Sequence, residues 1–226
     1  MASGCRSPMS ICAVRLSRLN ASGAPISNHT AGAISQQGGI GVLKWTADIV
    51  AGDKIRDKDG CGNLAVVRDY DDKLAGFNVE LDLLVSSYEL RELAYGAQLI
   101  TNGATVLGAA DTVDTACGTV TAKTGVVLEA WGENQECAQL DATNPYHRVV
   151  FTKVVFNPTD GEMKAGANHM VLKGYARVND GAGNGPFNDW PSSVLAIPNK
   201  ARFVIEDTGL PTASVDCGYV TTPSQS

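Results

Sequence analysis

The segment GFNVELDLLVSSYELRELAYG, residues 76–96, places a strand pattern directly before a helix pattern. In its first half, apolar and polar residues alternate, which is the period of a strand with one buried face. The apolar set is Phe77, Val79, Leu81, Leu83 and Val85, and the opposite set is Asn78, Glu80 and Asp82. The segment therefore predicts a strand with a core face and a wet, acidic face.

The second half of the segment changes to the period of a helix. Its apolar residues are Leu90, Leu93 and Ala94. Ser86, followed three residues later by Glu89, predicts a capping box, and Gly96 predicts the end of the helix. Together these signals predict one short amphipathic helix that docks on a sheet.

The rest of the chain repeats a strand, turn, strand pattern. Predicted strands cover residues 11–19, 40–50, 63–70, 118–134, 147–156, 168–178 and 202–206, with a hairpin at 98–107 around Asn102-Gly103. This pattern predicts a mainly β fold, an antiparallel β-sandwich or barrel with one short flanking α-helix and long loops. We expect one domain over residues 1–226, with an N-terminal arm at about 1–10, a long glycine-rich loop at about 20–39 and a C-terminal arm at about 207–226.

The composition limits the function classes. The 226 residues are 44% hydrophobic, enough for a core, and carry a net charge of −6 with scattered basic residues. A protein that grips DNA phosphates needs clustered Lys and Arg, so specific DNA binding is not expected. The first residues lack the apolar run of a signal peptide, and the uncharged stretch 19–43 is too polar to span a membrane. We therefore expect synthesis in the cytoplasm and no membrane association.

No motif predicts catalysis, a cofactor or a metal. The histidines lack the spacing of a zinc motif: His29, His147 and His169. The six cysteines contain no C-x-x-C pair, and no G-x-S-x-G motif is present. Glu80 and Asp82 could flank a sugar as in a glycosidase, but they alternate on one strand face without an apolar setting that would raise a pKa. A hydrolase using this pair remains a rival hypothesis.

Several segments, taken in order, resemble the major tail (tail tube) proteins of long-tailed bacteriophages, especially those that infect actinobacteria. They are ICAVRLSRLNASGAPI (11–26), ADIVAGDKIRDKDGCGNLAVVRDYDDKLAGFNVELDLL (47–84), VVLEAWGENQE (126–136), YHRVVFTKVVFNPTDGEMKAGANHMVLKGYA (146–176) and GNGPFNDWP (183–191). The resemblance spans most of the chain and depends on the G-D-x-I, G-C-G and D-x-L-x-G spacings together. Related proteins often have prolines before the helix, where this chain has VSSYEL.

The resemblance implies a structural virion protein without enzymatic activity. Six copies would form a ring, and the rings would stack into a hollow tail tube through which double-stranded DNA passes without specific binding. The implied partners are further copies of the chain, the tape measure protein, the tail terminator and the distal tail protein. Assembly would take place in the host cytoplasm.

The resemblance also gives roles to two sets of residues. Asn78, Glu80 and Asp82 would face the lumen, where carboxylates repel duplex phosphates. The hairpin around residues 53–62 would contact the neighbouring ring through Asp53, Lys54, Arg56, Asp57, Lys58 and Asp59. An alternative function is a carbohydrate-binding or adhesin-like β-sandwich of a virion or cell surface.

Overall fold

The computed structural model describes residues 6–58, 61, 64–84, 87–111, 124–136, 139–140, 142–158, 169–211 and 219–224. The strands are β1 Arg6–Arg18, β2 Ala33–Gln37, β3 Ile40–Val50, β4 Lys54–Lys58, β5 Leu64–Asp69, β6 Lys73–Leu83, β7 Gln98–Asn102, β8 Thr105–Ala110, β9 Val126–Glu136, β10 Gln139–Leu140, β11 Tyr146–Asn157, β12 Met170–Ala176, β13 Arg202–Asp207 and β14 Tyr219–Val220. The helices are α1 Tyr88–Tyr95 and α2 Ser192–Leu195, with a 3-10 turn at Asp180–Ala182.

The predicted mainly β, antiparallel fold is confirmed. Ten strands form one sheet in the order β14-β2-β1-β9-β11-β12-β6-β3, with β10 paired to β9 and β13 paired to β11. The hairpins β4–β5 and β7–β8 form separate two-stranded sheets. Among the described strands, every pairing is antiparallel.

Strand β11 joins the two layers of the sandwich. One edge of β11 pairs with β9, while the other pairs first with β13 and, from Val154 onward, with β12. The layer β12-β6-β3 then lies over the core side of β11, since Trp45 and Phe77 each pack edge-on against Phe151 with ring centroids 6.1 Å apart. The main core fills the space between these layers.

A second, smaller core covers the opposite face of β1, β9 and β11. It contains Leu19, Val127, Val150, Ala182 and Trp190. Ala182 and Trp190 come from the segment 178–201, which connects β12 to β13. β9 is thus buried on both faces, as Val127 and Leu128 are both 0% exposed.

Helix α1 docks on the sheet as predicted, but it begins differently. Leu90, Leu93 and Ala94 are buried, and Gly96 ends the helix in the left-handed conformation at φ 80°. The N-cap is Ser87, whose hydroxyl oxygen accepts a hydrogen bond from the Leu90 amide at 3.2 Å. The predicted capping box at Ser86 is therefore wrong by one residue, and Ser86 itself lies outside the described residues.

The predicted loop and arms contain more regular structure than the sequence suggests. The loop at 20–39 includes β2, and the arm at 1–10 includes Arg6 to Ser10 of β1. In the C-terminal arm, Tyr219–Val220 pairs with β2. The sequence does not predict β2, because its polar and apolar residues do not alternate. Ser35 and Gln36 are nearly as buried as Ala33 and Ile34 beside them.

Strand β3 spans the predicted residues 40–50, and the hairpin predicted at 98–107 is β7–β8. The β3–β6 pair ends at Val50 opposite Lys73, and β4–β5 then continue as a narrower hairpin from Lys54 opposite Asp69. We call residues 51–72 the arm hairpin.

Across the described residues, the helices are all too short or too polar to cross a membrane.

Candidate functional site

Asn78, Glu80 and Asp82 lie on the outward face of β6, between β3 and β12. Asn78 is exposed, and the side chains of Glu80 and Asp82 are 36% and 21% exposed. The intervening residues Val79 and Leu81 are buried in the core. That Asn78, Glu80 and Asp82 face the lumen of an assembly stays a prediction.

Glu80 lies between two lysines. Lys44 of β3 and Lys173 of β12 are its cross-strand partners, and their Nζ atoms lie 3.7 and 3.8 Å from the Glu80 carboxylate. Both lysine side chains are well exposed, at 66% and 63%. The face that the sequence predicts as acidic is therefore a ladder of opposite charges, because strand pairing places basic residues from two distant segments beside the acid.

The other carboxylates of this face also have partners. Asp82 lies 3.1 Å from Nδ1 of His169. The hydroxyl of Tyr175 donates a hydrogen bond of 2.6 Å to Asp48, and this bond raises the pKa of Tyr175. We define the polar face as Lys44, Thr46, Asp48, Asn78, Glu80, Asp82, His169, Lys173 and Tyr175. It carries three carboxylates and two lysines, so its charge is close to balanced.

A shallow groove of about 260 Å³ lies in the polar face. It is lined by Lys44, Trp45, Thr46, Asn78, Val79, Glu80, Lys173 and Gly174. The two lysines border it, and Glu80 is the one carboxylate among these lining residues. Glu80 and Asp82, the candidate glycosidase pair, lie two residues apart on an open sheet face.

The predicted inter-ring contacts lie on the arm hairpin. Asp53, Lys54 and Arg56 are exposed, and the backbone of Asp57 and Lys58 belongs to β4. Asp59 lies outside the described residues. At the junction with β3, the Asp53 carbonyl accepts a hydrogen bond from the Tyr70 amide at 3.1 Å.

Four large apolar side chains are exposed where the arm hairpin leaves the sandwich. They are Ile49, Val50, Tyr70 and Leu74, with 61%, 57%, 47% and 56% of their surface exposed. Ile49 and Leu74 are cross-strand partners. We call this set the apolar base of the arm hairpin.

A buried ion cluster, which the sequence patterns do not predict, lies beneath the segment 178–201. Glu129 is fully buried, and its carboxylate accepts hydrogen bonds from Arg15 Nε at 2.6 Å and from Arg148 Nη1 at 3.4 Å. Asp189 accepts hydrogen bonds from Arg15 at 2.9 Å and from Arg148 at 2.8 Å. Arg148 Nε also lies 3.2 Å from Asp207, an ion-pair distance without hydrogen-bond alignment.

Aromatic side chains close this cluster. The indole N–H of Trp190 donates to Glu129 at 2.9 Å, and that of Trp131 donates to Asp207 at 3.0 Å. The guanidinium of Arg15 lies 3.9 Å from the ring centroid of Phe187. These contacts fasten the segment 178–201 to the sheet, so the cluster has a structural role. The sequence signal for this cluster is that Glu129 lies on the same strand face as Val127 and Trp131, since the three residues are two positions apart.

The charges of the cluster set the protonation of Asp189. Burial would raise the pKa of this carboxyl, but Arg15 and Arg148 hold the pKa below its ordinary value. Burial also lowers the pKa of His147, which favours its neutral form. The described residues contain no group of three His, Cys, Asp or Glu side chains that could hold a metal ion.

No protein-family model matches the chain, and no curated protein matches its sequence.

Proposed function

We propose that this chain is a tail tube subunit that self-assembles into stacked hexameric rings, forming the conduit through which phage DNA is ejected. The observation that carries the proposal is the arm hairpin with its apolar base. It continues the edge strand β3 outward from an otherwise complete sandwich.

The apolar base supports assembly with further copies. Ile49 and Leu74 are each more than half exposed and are cross-strand partners, so they form an apolar pair, and Val50 and Tyr70 expose further apolar area at the same junction. Contact with another protein surface would remove this area from water, which stabilises an assembly by about 25 cal/mol per Å² of apolar area.

Two edge strands offer surfaces for a neighbouring copy. Within the part of the chain that the structure describes, β3 pairs only with β6, and β13 pairs only with β11. An edge strand that stays unpaired risks uncontrolled association, whereas a subunit that joins its neighbours edge to edge uses it. Head-to-tail contacts of this kind close into rings or continue along an axis.

The polar face supports passage of DNA without retention. Its lysines are paired with Glu80, and the whole chain carries a net charge of −6. A surface without free clustered cations releases few counterions from DNA and so binds it weakly.

Electron microscopy of the purified chain tests the proposal. We expect rings and tubes with a central bore. The double variant Ile49→Ser, Leu74→Ser should fold, as judged by circular dichroism, but should fail to form tubes. Ile197→Ser is the matched control, since Ile197 is 51% exposed on the segment 178–201. A wild-type chain that stays monomeric at every concentration and salt tested, or a double variant that assembles normally, contradicts the proposal. Discrete particles that retain sugar would instead support the carbohydrate-binding alternative.

A further inference from the structure

The groove in the polar face contains two lysine ammonium groups, the kind of group that binds phosphate, but both are paired with a carboxylate of the protein. Two lysines from β3 and β12 border it, and Glu80 lies between them within 4 Å of both ammonium groups. We infer that Glu80 masks a latent polyanion-binding groove, and that this residue determines whether the face holds a nucleic-acid backbone or lets it pass. The inference rests on the proposed function, since DNA is the polyanion that the tube would conduct.

The geometry explains why one carboxylate controls both lysines. β3 and β12 lie on opposite sides of β6, so the two lysines are about 10 Å apart at the backbone, with strands spaced about 4.8 Å. Glu80 lies 3.7 and 3.8 Å from the two ammonium groups, well within the Debye length of about 10 Å at 0.1 M salt, so its charge acts on both lysines at once. The neighbouring carboxylates contact other groups, with Asp82 beside His169 and Asp48 bonded to Tyr175.

Removing Glu80 should expose the groove without unfolding the protein. Exposed ion pairs contribute about 0 to 1 kcal/mol to stability, and both lysines are more than 60% exposed. Each copy would then present two free ammonium groups on one outward face. In a ring of six copies, the same lysines would surround the lumen and retain DNA.

The full-length chain and a fluorescent 30-base-pair duplex of arbitrary sequence test this inference by anisotropy at several salt concentrations. We expect affinity to rise in the order wild type, Glu80→Gln, Glu80→Lys. Two engaged phosphates should add about −1.8 to the slope of log K against log salt for Glu80→Gln. That slope corresponds to about a twelve-fold gain in affinity between 200 and 50 mM salt.

The matched controls are Asp71→Asn and Asp71→Lys. They change the net charge equally at an exposed residue of the arm hairpin, and they should bind as weakly as wild type. Adding Lys44→Gln and Lys173→Gln to Glu80→Gln should abolish the gain. If the Glu80 variants bind no tighter than the Asp71 controls, or if the gain survives loss of both lysines, the inference is wrong.

This experiment separates the inference from the proposed function. The free subunit already carries the groove, so the binding series does not require assembly. Graded binding by a chain that never forms tubes would leave the groove assignment standing and remove the conduit role. If the chain forms tubes but the Glu80 variants bind DNA no tighter than wild type, the groove assignment is wrong and the conduit role stands.

Discussion

Replacing Glu129 by Gln should destabilise the fold more than any conservative change on the polar face. The Glu129 carboxylate is 0% exposed, bonds the buried Arg15 at 2.6 Å and accepts the Trp190 indole N–H at 2.9 Å. A glutamine keeps the shape but removes the charge. Among the described residues, the carboxylates left beside the buried Arg15 and Arg148 are then the partly exposed Asp189, which contacts both, and Asp207, which contacts Arg148.

The magnitude follows from the burial. Breaking a buried ion pair by removing one partner costs about 3–5 kcal/mol, because the remaining charge stays out of water without compensation. That loss is a large part of the about 5–15 kcal/mol by which a domain is normally stable. With a urea m-value of about 3 kcal/mol/M, the unfolding midpoint should fall by about 1–1.7 M.

The assay is equilibrium urea unfolding followed by tryptophan fluorescence, which reports Trp45, Trp131 and Trp190, the last of which donates its indole N–H to Glu129. Glu80→Gln is the matched control, because the same chemical change at an exposed pair should cost about 0–1 kcal/mol. If the Glu129→Gln midpoint falls no further than that of Glu80→Gln, the ion cluster is not what holds the segment 178–201, and the reasoning fails.

Three further changes test separate parts of the fold. Asp189→Asn should lower the melting temperature at pH 7, and the difference in melting temperature from wild type should shrink as pH falls below about 4. The reason is that a carboxyl whose folded pKa is lowered stabilises the fold only while it is ionised. A difference that is constant from pH 7 to 3 would contradict this. Gly52→Ala should destabilise the arm junction by about 1–3 kcal/mol in urea unfolding, since a Cβ there would lie 1.8 Å from the Tyr70 carbonyl oxygen, whereas Gly209→Ala, in open space, should be neutral. Ser87→Ala should cost about 0.5–2 kcal/mol by removing the N-cap of α1, and an unchanged midpoint would show that the cap is not needed.

Part of the candidate site follows from local patterns. The outward placement of Asn78, Glu80 and Asp82 comes from strict alternation along one strand, and alternation survives in any antiparallel sheet that buries one face. The hairpin expected around residues 53–62 corresponds to the pair β4–β5, whose second strand extends to Asp69. The partners of Glu80 could not be predicted, because Lys44 and Lys173 become its neighbours only through the strand order.

The sequence by itself determined the elements whose signals are local, namely β3, the N-cap of α1 to within one residue, the β7–β8 hairpin and the antiparallel class. Only the tertiary structure decided that β9 is buried on both faces, that β2 and β14 pair inside predicted loop and arm segments, and that Arg15, Glu129 and Asp189 meet in one cluster. The physical reason is that periodicity reports burial on one face against water on the other. Where a second layer covers that outer face, polar residues find partners far away in sequence, and the local pattern no longer indicates where they lie.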